Sequence, residues 1–221
     1  MPRVDFEHDL RVLQDEAILL GSMVEKAVVK SMDALRTRDL AASAQVIRDD
    51  DVIDRKRFDL EERCIDLIAR QQPLAKDLRL IVAILHISVE LERIGDYAEG
   101  IGKIGLMMGE EAPLKPLIDL PRMGDMATKM LRQSLDSLVR RDVSLARAVC
   151  TDDDNVDALY EDIYKELIGY MVQDPSTIRR ATYLLWAAHD IERIADRTTN
   201  IAERVIYLVT GKMTEVNVSR Y

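Results

Sequence analysis

Apolar residues recur along the chain with a three-four rhythm; Leu10, Leu13, Ala17, Leu20, Val24, Ala27 and Val28 form one such stripe. That spacing puts them on one side of an α-helix, facing a core. No run of alternating β-branched residues is long enough for a strand, and no Asn-Gly or Asp-Gly dipeptide offers a hairpin turn. The prolines, at positions 2, 73, 113, 116, 121 and 175, leave 3–72, 74–112, 122–174 and 176–221 free of proline. An interior proline costs a helix about 3 kcal/mol, so these spans predict long helices joined by tight turns. Further breaks fall at Arg38-Asp39 and Arg141-Asp142, where each aspartate can cap the helix that follows. The pattern predicts six helices, over about 5–37, 40–71, 76–108, 122–140, 143–173 and 176–210. The expected fold is all-α: a three-helix bundle over 1–109, a linker over 110–121 and a second three-helix bundle over 122–221.

The two halves read as a duplication. Asp33-Ala-Leu-Arg-Thr-Arg-Asp39 aligns with Asp136-Ser-Leu-Val-Arg-Arg-Asp142 at an offset of 103, which also carries Asp50 and Asp54 to Asp153 and Asp157. Beyond Pro73 and Pro175 the offset becomes 100, and Glu92-Arg-Ile-Gly-Asp96 meets Glu192-Arg-Ile-Ala-Asp196. A repeat of this length is too long for a solenoid unit and suits two copies of one bundle.

Charge narrows the function classes. With 31 Lys+Arg against 40 Asp+Glu the net charge is -9, which argues against nucleic acid as a partner. Two cysteines, Cys64 and Cys150, make no disulfide framework and fit no zinc motif, pointing to a reducing compartment. The N-terminus carries acids where a signal peptide has an apolar run, and no apolar stretch approaches the roughly 20 residues that span a bilayer. A cytoplasmic protein is expected.

The acids carry the candidate chemistry. Eight acid pairs stand at i, i+4, against roughly seven expected by chance at that helical neighbour spacing, so their number decides nothing. Their placement does. Asp50/Asp54, Glu92/Asp96, Asp153/Asp157 and Glu192/Asp196 alone recur at equivalent positions in both halves. They also lie equidistant from the turns at Pro73 and Pro175. An antiparallel hairpin sets such residues side by side, so each half should gather four carboxylates at one level. Positive charge must compensate them. Arginines 55, 57, 93, 193 and 197 offer surface ion pairs; alternatively a metal site of hard oxygen ligands would select Mg²⁺, Mn²⁺ or iron.

Other features carry less. His8, His86 and His189 do not repeat and read as surface or core residues. His189-x-x-Glu192 reverses the Glu-x-x-His order of four-helix di-iron oxidases. Glycines 95, 100, 102, 105 and 109 either permit close helix approach or loosen the helix end, the second being favoured past Gly102. No Walker-type loop and no nucleophile cluster is present, so no catalytic centre is expected. A carboxylate-bridged metal enzyme and a purely structural helical module stand as the alternatives to a binding adaptor.

Val89-Glu-Leu-Glu-Arg-Ile-Gly-Asp-Tyr-Ala-Glu99 and His189-Asp-Ile-Glu-Arg-Ile-Ala-Asp-Arg-Thr-Thr-Asn200 resemble the PhoU family of phosphate-specific transport system accessory proteins, as does Gln72-Pro-Leu-Ala-Lys-Asp-Leu-Arg79. The resemblance implies metal at Asp50, Asp54, Glu92 and Asp96 and at Asp153, Asp157, Glu192 and Asp196, with iron, zinc, manganese or magnesium as the ion. All eight positions are acids, so neither site reads as degenerate. It further implies a cytoplasmic homodimer that negatively regulates the phosphate regulon and restrains phosphate uptake. Its partners would be the phosphate ABC transporter and a sensor histidine kinase, with membrane contact only through them.

Overall fold

The computed structural model describes residues 3–213, so the outermost residues of the two expected bundles, 1–2 and 214–221, lie outside the described residues. Six α-helices account for nearly all of the described chain: α1 (Arg3–Thr37), α2 (Leu40–Gln71), α3 (Ala75–Met108), α4 (Asp119–Arg140), α5 (Val143–Gln173) and α6 (Ile178–Thr210). A single 3-10 turn, Pro175–Thr177, leads into α6. The first three helices form one bundle and the last three repeat it.

The turns follow from their residues. Asp39 accepts a hydrogen bond from the Ala42 amide at 2.9 Å, and Asp142 accepts from the amides of Ser144 and Leu145 at 2.9 and 3.1 Å. Both aspartates thereby satisfy orphan donors at a helix start. The residue before each cap, Arg38 and Arg141, sits in the left-handed region at φ 57° and 52°, so the duplicated Arg-Asp builds the same turn twice. The helix α4 starts at Asp119 rather than at 122, with Pro121 inside its first turn. Proline is tolerated there because its missing N–H would have lacked an intrahelical acceptor anyway.

Pairing within the bundles is antiparallel. Asp50 meets Gly95 across α2 and α3, and the ring centroids of Tyr160 on α5 and His189 on α6 lie 6.5 Å apart. Residues equidistant from each proline turn are therefore neighbours, as the spacing predicts.

The halves share a face rather than hanging from a tether. Leu20, Leu60, Ile84, Met123, Val149 and Ile191, one from each helix, belong to a single continuous core. Between bundles, Gly21 of α1 lies against Leu135 of α4, and Gly100 of α3 lies against Asp190 of α6. Asn200 of α6 donates to Glu90 of α3 at 3.1 Å, and Arg132 of α4 donates to Glu25 of α1 at 2.7 Å. The connecting segment is fastened as well. Arg38 donates to the Glu111 carbonyl at 3.1 Å, Arg179 to the Glu111 carboxylate at 2.5 Å, and Lys115 to Glu166.

The glycines of α3 answer the close-approach reading, including past Gly102 where end-loosening is favoured on sequence. A Cβ at Gly102 would stand 3.1 Å from the Ser43 carbonyl oxygen, and one at Gly105 would stand 2.7 Å from the Ser43 hydroxyl. Missing side chains let α3 press against α2, while Gly109 alone ends the helix, at φ 58°. Gly169 on α5 has nothing within 4 Å of such a Cβ. In urea denaturation Gly102→Val should destabilise by about 1–3 kcal/mol. Gly169→Ala should stabilise by about 0.5–1 kcal/mol through helix propensity alone. Equal effects at the two sites would contradict the packing described.

Candidate metal centre

In the first bundle, Asp50 and Asp54 stand one turn apart on α2, and Glu92 and Asp96 one turn apart on α3. One carboxylate oxygen from each of Asp50, Asp54 and Asp96 lies within 4.8 Å of the others. Gly95 makes this possible: a Cβ there would sit 3.2 Å from Asp50 Oδ1. The oxygens are short of partners, since Asp50 Oδ1 and Asp54 Oδ1 are buried without a hydrogen bond.

Burial above all, then the charges of Asp54, Glu99 and Asp96, push the Asp50 carboxyl up to about 7, against the pull of Lys103. Burial followed by Asp96 raises Glu92, while Arg57 opposes; burial followed by Asp54 and Glu99 raises Asp96. Glu92 thus feels the cluster without joining its closest three oxygens. Glu99 is an acid that pair-spacing arguments miss. It lies at i+3 from Asp96, a second spacing that returns a side chain to the same helix face.

The second bundle gathers Asp153 and Asp157 on α5 with Glu192 and Asp196 on α6, but differently. Asp153 is only 2% exposed. Burial, then Asp157, Asp196 and Glu192, push it to about 7. Burial and Asp196 push Glu192 to about 7 as well, with Arg193 opposing. Asp157 and Asp196 are also raised, chiefly by burial. Four mutually repelling carboxyls therefore occupy one level, as in the first bundle.

Here, however, a guanidinium is already in place. Arg193 Nη1 donates to Asp196 Oδ2 at 2.8 Å, and its Nε stands 2.9 Å from Glu192 Oε2. Among the described residues, no trio of second-bundle acids converges as Asp50, Asp54 and Asp96 do. The two clusters thus differ in their cation partners: Arg193 lies against the second, while Asp153 Oδ1 and Glu192 Oε2 there remain buried without a hydrogen bond, as Asp50 Oδ1 and Asp54 Oδ1 do in the first. The periphery of the second cluster differs too. His189 Nδ1 lies 3.9 Å from Glu192 Oε2, and burial, followed by Arg193, lowers its pKa so that the ring is neutral at pH 7. His8 and His86 are exposed. Burial pushes both Cys64 and Cys150 thiols up to about 12, so they are inert.

A duplicated three-helix bundle carrying clustered carboxylates on facing helices defines a class of all-α protein, and the comparisons with known proteins identify it. The family model described as the PhoU domain matches twice, at residues 18–105 and 120–205. The chain belongs to the PhoU family. It is 39% identical over 218 residues, 98% of this chain and 100% of the relative, to the phosphate-specific transport system accessory protein PhoU homolog of Clostridium acetobutylicum. The Aquifex aeolicus homolog of that name is 38% identical, with 93% of each chain covered. Among solved structures, PhoU from Pseudomonas aeruginosa superimposes with a TM-score of 0.90 at 36% identity, covering 94% of this chain and 100% of that one. The phosphate transport system regulatory protein PhoU from Streptococcus pneumoniae gives 0.89 at 30% identity, covering 95% and 99%.

The raised carboxyls set a pH dependence. In cation-free protein Asp50, Asp153 and Glu192 hold protons in the folded chain that the unfolded chain has released, so folding takes up protons. Their contribution is fully present below the ordinary carboxylate range near 4 and is lost as pH rises through about 7. Chelator-treated protein should therefore show a Tm contribution that declines across that window. The triple variant Asp50→Asn, Asp153→Asn, Glu192→Gln should flatten the decline. An unchanged pH slope in the variant would contradict the assignment.

Proposed function

We propose that this chain is a cytoplasmic regulatory accessory protein of phosphate transport, working as a metal-binding adaptor and not as an enzyme. The observation that carries the proposal is full-length similarity to accessory proteins of phosphate-specific transport, over 98% of this chain in one case. A solved relative described as a regulatory protein of that system supports the regulatory half. The adaptor would restrain uptake by the phosphate ABC transporter and pass its state to a sensor histidine kinase, repressing the phosphate regulon when phosphate is ample. Among the described residues no helix is long and apolar enough to cross a membrane, so contact with the membrane would run through the transporter and kinase. A homodimer would present two such surfaces.

The residues suit a hard cation. Asp50, Asp54 and Asp96 offer converging oxygens, Asp50 and Asp54 each also carry a buried Oδ1 lacking a hydrogen bond, and Glu92 lies in reach of their field. An all-oxygen donor set favours Mg²⁺, Mn²⁺ or iron over zinc. When bound, the cation would neutralise the cluster and tie α2 to α3, holding the bundle face rigid for a partner. The acids of the second bundle, Asp153, Asp157, Glu192 and Asp196, would hold a second ion once Arg193 gives way from Glu192 and Asp196.

The test is complementation in a bacterium lacking its own family member and carrying a phosphate-starvation reporter. Expression of the wild-type chain should restore repression in high phosphate, and the Asp54→Asn, Asp96→Asn, Asp157→Asn, Asp196→Asn variant should fail while still folding. Deleting the transporter should abolish phosphate-dependent signalling through the protein. Full repression by the variant, or normal signalling without the transporter, would contradict the adaptor role.

A further inference from the structure

The duplicated Glu-Arg-Ile-x-Asp places an arginine between the two acids of each α3 and α6 pair, at Arg93 and Arg193. Equivalent residues have taken opposite conformations. Arg193 folds over its own helix and engages both Glu192 and Asp196. Arg93 is exposed and, among the described residues, makes no ion pair or hydrogen bond.

The neighbours account for the difference. Position 57 on α2 holds an arginine whose charge already reaches Glu92, though its guanidinium pairs with Glu61 at 3.0 Å. The equivalent position on α5 is Tyr160, which brings no charge to Glu192. Position 97 on α3 is a tyrosine, whereas its equivalent on α6 is Arg197. That residue reaches across to Glu90 at 3.4 Å and leans its charge toward Asp196. Deprived of a cation from the facing helix, the second cluster takes one from its own.

From this geometry we infer that Arg193 is an internal counter-ion that competes with divalent cation for Glu192 and Asp196, so that the first cluster fills first and Arg193 sets the gap between the two affinities. The inference rests on the metal reading above. A cation entering the second cluster must displace Nη1 from its charge-assisted hydrogen bond to Asp196 and Nε from its ion pair with Glu192, whose Oε2 is otherwise buried without a hydrogen bond. A cation entering among Asp50, Asp54 and Asp96 displaces no protein cation, because those oxygens hold none. Arg193 thereby makes two sites of matching acid content respond at different cation concentrations.

The experiment is calorimetric titration of the full chain with Mn²⁺, with thermal melts to establish that each variant folds. Asp157→Asn protein reads the first cluster and Asp54→Asn protein reads the second, both with Arg193 intact. The first cluster should bind at least about tenfold more tightly, the size expected for giving up one charged hydrogen bond together with an ion pair. Adding Arg193→Met to Asp54→Asn should tighten the remaining site by at least about tenfold on the same reasoning. Adding Arg93→Met to Asp157→Asn should change its affinity by less than about twofold, because Arg93 is exposed and reaches Glu92 and Asp96 only through its solvent-screened field. Equal affinities in the two carboxamide variants would overturn the inference, as would equal effects of the two arginine substitutions, while leaving the metal reading standing. No Mn²⁺ uptake by wild type or any variant would overturn the metal reading and this inference with it.

Discussion

Repulsion among carboxylates held together in a half-dry groove is the constraint on which the rest of this structure depends. Two acids a turn apart on one helix cost little when water screens them. Bringing a second such pair across a hairpin, with oxygens buried and unbonded, removes the screening and leaves charge that must be neutralised. Three remedies are visible in one chain. Protons are retained on Asp50, Asp153 and Glu192, whose carboxyls rise to about 7. A guanidinium is supplied to the second cluster by Arg193. The first cluster brings together oxygens of Asp50, Asp54 and Asp96 with no guanidinium among them, a donor set of the kind hard divalent cations take.

The bundle architecture exists to hold that conflict in place. Long uninterrupted helices give the acids a rigid frame, and the shared core of the two halves prevents either hairpin from splaying to relieve the repulsion. Gly95 brings α3 against α2 where the carboxylates face one another, and Gly102 does so further along, over Ser43. Asp190 on Gly100, and Glu90 under Asn200 and Arg197, lock α3 against α6, so the clusters sit on one continuous body. A cation bound in such a frame would change the field of a whole face.

Much of this was legible in the sequence because it depends on periodicity and spacing. Proline-free spans and the apolar stripe gave six helices, and the equidistance of Asp50/Asp54 and Glu92/Asp96 from Pro73 places those pairs on facing helices. What escaped depends on side-chain direction. Pro121 looked like a boundary, yet a proline in a first turn is no obstacle. Glu99 has Lys103 rather than an acid at i+4, so pair spacing does not place it with the first cluster. The inequivalence of the clusters was hidden because Arg93 and Arg193 are identical in local sequence. Their surroundings separate them, Arg57 against Tyr160 across the hairpin and Tyr97 against Arg197 one turn along the same helix.

The most direct test of the central claim is an anomalous difference map from crystals soaked in Mn²⁺, collected on both sides of the manganese absorption edge. Electrostatic compensation by a bound ion predicts the strongest peak among the oxygens of Asp50, Asp54 and Asp96. A map with no peak there, and with a lysine or arginine side chain lying across those oxygens instead, would contradict it.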